Sequence, residues 1–292
     1  IFCLVGGIGF LGNMLIEKLL RSCPDISMIY VMIVNIIFHI ATNMQFYENL
    51  KISTIVNIDA TAAIIKLAKH MRDLMSFIHV STIYSNCHVK HIEERLYSYP
   101  INHKHLSTFA RNLPENIFEE KISNRISSQW PNTYTFTKAI SEGLFKNENG
   151  DLPIGIFRPA MVISSVSEPL IGWIDNMYVP SIFARSLLDV VKFHHCNGIY
   201  KANIVPVDFT VNALIASAWD VYYQYKYDQI TYDMTVYNFV PQVDGPTWNE
   251  YINALLDINK MYPLHNALYL PLMTLFKHEI TYRFCVATSI AS

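Results

Sequence analysis

The chain opens with a short apolar run, Ile1 to Val5, that meets a glycine turn and passes into a segment in which Leu15, Ile16, Leu19 and Leu20 recur at helical spacing. This predicts a buried parallel strand, then a helix over Asn13 to Arg21 that turns those four residues toward a sheet. Ser27 to Val34 reads as a second strand and Asn35 to Ala41 as a third, with nothing between them. From Leu50 to Arg72, the positions Ile55, Val56, Ile58, Ala62, Ala63, Ile65, Leu67 and Ala68 predict one long amphipathic helix. Ser76 to Thr82 is a strand whose end is rich in hydroxyls, Ser81-Thr82-Ile83-Tyr84-Ser85. His88 to Gln129 is polar and reads as a surface insertion with a helix near Pro114 to Arg125. A further helix starts at Pro131-Asn132-Thr133 and ends at Asn149-Gly150-Asp151. Then come a strand, Leu152 to Phe157, turning at Arg158-Pro159-Ala160, and a loop region from Glu168 to Asn176. Ile204 to Asp208 is a short strand with a buried-looking acid, and Val211 to Tyr223 is a helix. Val236 to Phe239 is a late strand, and Thr247 to Asn259 the last clear helix. Strands alternating with helices predict an α/β fold, a doubly wound Rossmann-like parallel sheet.

One spacing is anomalous. A strand-helix-strand unit takes about 30 residues, and there is no room for a crossover between Val34 and Asn35. Two strands fused by a missing segment is the preferred reading. The alternative, a membrane helix over Ile26 to Ala41, falls short of the roughly 20 apolar residues needed and would carry Asn35 and His39.

Composition narrows the class. The 292 residues are 51% hydrophobic and only 16% charged, which excludes a disordered chain and points to heavy burial or an apolar partner. A net charge of −2 gives no electrostatic case for nucleic acid. Five scattered cysteines without a C-x-x-C read as reduced thiols. The histidines show no metal-binding spacing, so no metal is expected. No signal peptide is visible, and a chain that starts at Ile1 on a strand reads as a piece of a longer protein.

The candidate chemistry centres on Tyr134 and Lys138. Four residues apart on a helix, they share a face. A lysine ammonium beside a phenol favours the phenolate and lowers its pKa, which makes a proton donor for a carbonyl receiving hydride. Many helices carry this pattern by chance; two other stretches support it. Gly6, Gly9 and Gly12 stand between a strand and a helix, the context in which backbone N–H groups and a helix N-terminus hold a pyrophosphate. The hydroxyls of Ser81 and Thr82 fall where open α/β sheets bind ligands. The end of the second strand, which would read the ribose, has neither an acid nor an arginine at Ile33-Val34-Asn35.

Taken together, GFLGNMLIEKLLRSCPDI, IFHIAT, FIHVSTIYSNC, PNTYTFTKAISE, PIGIFRPAMV, EPLIGWIDN and IVPVDFTVNALIASAW resemble the alcohol-forming fatty acyl-CoA reductases, especially the insect-type ones, of the extended short-chain dehydrogenase/reductase superfamily. The resemblance covers most of residues 1 to about 255. It implies reduction of a long-chain fatty acyl-CoA by NADPH to a fatty alcohol and free CoA. It implies that Gly6, Gly9, Phe10, Leu11, Gly12 and Ala41 contact the cofactor, and that Arg158 and Pro159 line its nicotinamide side. Tyr134 would protonate the oxyanion, and Lys138 would hold the ribose. Thr82, favoured over Ser81, would bond the carbonyl oxygen, and the EP and GWIDN region would lie near the acyl-CoA. A reductase domain over 1–255 and the start of a truncated C-terminal region over 256–292 follow. Membrane association on a cytosolic face, at the endoplasmic reticulum or peroxisome, follows as well. The departures are Val5 and Ile8 where the family has threonines, Val34 where an arginine is expected, Ala160 for a serine, and the segment missing after Val34. They keep a second reading open, a non-catalytic chain that retains the fold and binds a lipid or a partner.

Overall fold

The computed structural model describes residues 2–5, 9–22, 34–46, 48–99, 101–127, 129–148, 151–175, 193–227, 234–262 and 273–290. Two compact units are present. The larger comprises Ile1–Ala160, Ser164–Trp173 and Val205–Val240. Its centre is a five-stranded, wholly parallel sheet. The strands lie in the order β1 (Phe2–Val5), β2 (Ile36–His39), β3 (Ser76–Val80), β4 (Ile154–Pro159) and Thr235–Phe239. Parallel strands need crossovers, and helices supply them. They are α1 (Phe10–Ser22), α2 (Leu50–Thr54), α3 (Ala60–Ala68), α4 (His103–Asn112), α5 (Glu115–Ser127), α6 (Thr133–Glu148) and the helix Val207–Tyr227.

The register aligns the carboxyl ends. Val5 stands beside His39, His39 beside His79, and Val80 beside Phe157. Gly9, Ala41, Thr82 and Ala160 therefore emerge along one edge of the sheet. The expected strand Ser27 to Val34 lies outside the described residues apart from Val34, and β2 pairs directly with β1.

The main core lies on one sheet face, where Ile37, Phe77, Ile154, Ile156 and Val236 of the strands meet Phe136, Ile140, Leu144 and Phe145 of α6. On the other face, helix Val207–Tyr227 sits close at Gly155. A Cβ added there would come within 2.6 Å of Val221 Cγ2. The long helix expected over 50–72 is divided by a π turn, Ile55–Asp59. Its inward stripe is Leu50, Ser53, Thr54, Asn57, Ile58, Thr61, Ile65 and Ala68, while Ile55, Val56 and Leu67, expected inside, are exposed. Its polar members are accommodated in two ways: Asn57 meets Thr137 and Ser141 of α6, and Thr54 and Thr61 donate to carbonyls one turn back on their own helix. Leu20, expected against the sheet, is also exposed, whereas Leu15 and Leu19 are buried.

The smaller unit, Met161–Ile163, Ile174–Ile204 and Pro241–Ser292, pairs strand Phe193–His195 with Thr274–Phe276. Its helix Trp248–Met261 starts with a capping box between Thr247 and Glu250 and runs uninterrupted through residue 255, the expected domain boundary. Among the described residues, Cys87, Cys196 and Cys285 are free thiols, no group of residues could hold a metal ion, and no helix is long and apolar enough to cross a membrane.

Candidate active site

Helix α6 carries Tyr134 and Lys138 toward the ends of β2 and β3. It starts at Thr133, after Asn132 Oδ1 accepts the N–H of Thr135 at 2.9 Å. Lys138 is buried, and its Nζ donates to the Val80 carbonyl at the last residue of β3, 2.7 Å away. Burial pulls its pKa down to about 8, opposed by the nearby Glu142 carboxylate. An ammonium has three donors, and one is engaged with Val80.

Tyr134 stacks near Phe46, with centroids 5.9 Å apart. Its hydroxyl lies near that of Thr82. Burial pushes the phenol up to about 12, and the neighbouring Thr82 hydroxyl only partly offsets this. The expected lowering by Lys138 does not prevail: burial dominates at the phenol, and the ammonium donates to Val80 instead. A phenol that stays protonated at neutral pH can still donate to an alkoxide, which is a far stronger base.

The two candidate hydroxyls part company here. Successive residues of an extended chain point to opposite sides. Thr82 meets Tyr134 and caps the short 3-10 turn Ile83–Asn86. Ser81 turns the other way and donates to Glu142 Oε1 at 2.5 Å. Arg158 departs from its expected place beside a nicotinamide. It is the last residue but one of β4, wholly buried, with Nη2 2.7 Å from Glu142 Oε2 and further donors on the carbonyls of Glu93 and Arg95. Pro159 ends the same strand rather than a turn. Burial would raise the Glu142 pKa, but Arg158 and the hydroxyls of Ser81 and Ser85 hold the carboxyl below its ordinary range.

Gly6 lies outside the described residues. Gly9 is exposed, and Gly9, Phe10, Leu11 and Gly12 form the entry to α1, whose first turn holds no acid. Ala41 follows β2 at the same sheet edge. The loop Ser165–Trp173 crosses α1: Trp173 lies 5.7 Å from the Phe10 ring, and Glu168 bridges Lys18 and Arg21. Asp208, the buried acid expected from the sequence, fixes this loop by accepting the N–H groups of Val166, Ser167 and Glu168 at 2.9–3.2 Å. Leu170 and Ile171 at its tip are exposed.

Sequence reasoning missed Asn57. It sits in the π turn, accepts from Thr42 Oγ1 and the Asn43 N–H, and donates to Thr137 beside Lys138. The available signal was a polar residue at an inward position of the helical stripe.

His39 and His79, adjacent on β2 and β3, share a hydrogen bond between their Nδ1 atoms at 2.9 Å. Neither Nε2 meets a hydrogen-bond partner among the described residues. Burial, with Lys138 nearby, lowers His39 from 6.5 to about 3, and it lowers His79 in the same direction. The unfolded chain therefore takes up protons first. Stability complete above about pH 6.5 falls as pH drops toward about 3, at roughly 1.4 kcal/mol per pH unit per imidazole. Urea unfolding at pH 7 and pH 5 should show this loss, reduced in a His39→Leu/His79→Leu double variant; an equal loss in both chains would assign it to other groups.

The chain matches the NAD-binding family described as male sterility protein over residues 4–34 and 31–214. The two stretches meet where the sequence lacks a crossover. It is 36% identical over 251 residues to fatty acyl-CoA reductase wat of Drosophila melanogaster, covering 85% of this chain and 47% of that one. It is 29% identical over 348 residues to human fatty acyl-CoA reductase 1, covering 98% and 66%. The chain thus spans about half to two thirds of the length of these relatives. The terminal R domain of a myxalamid biosynthetic enzyme superposes with a TM-score of 0.61 at 15% identity, covering 100% and 75%, which supports the fold.

Proposed function

The chain belongs to the NAD-binding family described as male sterility protein, and on that premise we propose that it reduces a long-chain fatty acyl-CoA to the fatty alcohol with NADPH. The observation that carries this reading is that Lys138 anchors its helix to the end of β3 through the Val80 carbonyl, 2.7 Å away, with Tyr134 one helical turn earlier on the same face and near Thr82. Two hydrides and two protons convert the thioester, through the aldehyde, to the alcohol and release CoA as its thiol.

The residues fit a nicotinamide dinucleotide. The first turn of α1 is free of acids, and two donors of Lys138 remain beyond the one on Val80. When bound, the cofactor supplies hydride. Gly9, Phe10, Leu11 and Gly12 would hold its pyrophosphate at the helix N-terminus, and Lys138 its ribose. Thr82 would donate to the carbonyl oxygen, and Tyr134 would give its proton as negative charge develops there. The exposed Leu170 and Ile171 offer apolar surface to an acyl chain. Placement on a cytosolic membrane face rests on the resemblance alone.

Preference for NADPH over NADH is the finer part of the proposal and rests on the resemblance alone, since Val34 stands buried where the family carries an arginine. Fluorescence titration of the purified chain with each nucleotide tests it. Saturable binding with NADPH tighter, followed by acyl-CoA turnover, is the expected result. A folded chain that binds neither would favour the second reading, a non-catalytic chain, which the segment missing after Val34 motivates.

A further inference from the structure

We propose that Glu142 is a positioning residue, acting on the reaction through Ser81 and Ser85 by fixing the turn that aims the Thr82 hydroxyl at Tyr134. This inference rests on the proposed function. Tyr134, Lys138 and Glu142 follow one another at four-residue steps on α6, so all three look out from one helix face. Glu142 is wholly buried. Its Oε1 accepts from Ser81 Oγ at 2.5 Å, Ser85 Oγ at 2.8 Å and Arg158 Nε at 3.0 Å. Its Oε2 accepts from Arg158 Nη2 at 2.7 Å, Tyr99 OH at 2.8 Å and Asn86 Nδ2 at 3.4 Å.

Thr82 stands between the two serines that share Oε1. The one Ser85 O–H is shared between the Thr82 carbonyl and Glu142 Oε1, 2.8 Å from each, and the Ser85 N–H donates to the same carbonyl at 3.2 Å. The backbone on both sides of Thr82 is thus tied to a single ionised group, while the Thr82 side chain is left to face Tyr134. A buried carboxylate is costly to desolvate, and Arg158 meets that cost. Core stability alone would be served as well by apolar residues at 142 and 158. The arrangement actually present delivers two of its accepted hydrogen bonds to the residues flanking the reacting hydroxyl. A shift of the order of 1 Å in a reacting group can cost about 100-fold in rate, so a partly relaxed turn should cost about 10-fold.

The test is a double-mutant cycle of Ser81→Ala and Thr82→Ala, read as kcat with a long-chain acyl-CoA and NADPH. Ser81→Ala should lower kcat about 10-fold with KM within about 2-fold, and should add no further loss to Thr82→Ala. A loss that carries over in full to the Thr82→Ala background, or no loss at all, overturns the proposal. Ser85→Ala repeats the cycle should Ser81→Ala fail to fold. A readout independent of turnover is the 13C-methyl resonance of Thr82, assigned by Thr82→Ser. It should move in Ser81→Ala and in Tyr134→Phe. A resonance unmoved by Ser81→Ala refutes the positioning role. Absent turnover in the unmodified chain, with the resonance moving as described, refutes the proposed activity and leaves the positioning of Thr82 standing.

Discussion

Tyr134→Phe should lower acyl-CoA turnover about 1,000-fold while leaving the fold in place. General acid catalysis by a placed side chain is worth about 10²–10⁴-fold, and Tyr134 holds its proton at neutral pH and lies near Thr82. The phenylalanine ring keeps the contact with Phe46. Only the hydroxyl is lost, which changes stability by no more than about 1 kcal/mol. Thermal melts should therefore stay within a few degrees, and nucleotide binding should persist. Turnover unchanged in Tyr134→Phe would remove Tyr134 from the chemistry. Lys138 adds a pH signature. Its ammonium loses its proton through about pH 8, so kcat/KM should fall above that value.

Arg158→Leu should destabilise the chain by about 3–5 kcal/mol, because it strands the Glu142 carboxylate inside the protein. The guanidinium and the carboxylate are both wholly buried, so water cannot replace the lost partner. The carbonyls of Glu93 and Arg95 lose their donors in the same step. Against a typical total of roughly 5–15 kcal/mol, such a loss is close to unfolding. The double variant Arg158→Leu/Glu142→Leu should recover part of the loss, since the stranded charge is then gone. Urea denaturation of the three chains measures both effects. A single variant within about 1 kcal/mol of the unmodified chain would show that Glu142 does not depend on Arg158.

Local patterns were sufficient for much of this molecule. The apolar run into Gly9 and Gly12 specifies strand, turn and helix, because the signals are adjacent in the chain. The four-residue spacing puts Tyr134 and Lys138 on one helix face wherever that helix packs. The narrow stretches around PNTYTFTKA and IVPVD identified the family on their own.

Other assignments depended on partners distant in sequence. Ser81 and Thr82 are neighbouring hydroxyls that no local rule separates. Only the packing of α6 against the end of β3 gives one to Glu142 and the other to Tyr134. Arg158 reads as a strand-end residue beside the cofactor until Glu142, sixteen residues earlier, takes its guanidinium into the core. The helical stripe from Leu50 to Ala68 buries Ser53, Thr54, Asn57 and Thr61 and exposes Ile55 and Val56, against the rule of apolar periodicity. Hydrophobic patterning ranks faces by their cost in water. The buried face includes Asn57, whose partners Thr42, Asn43 and Thr137 only the tertiary structure supplies, while Thr54 and Thr61 bond carbonyls one turn back on their own helix.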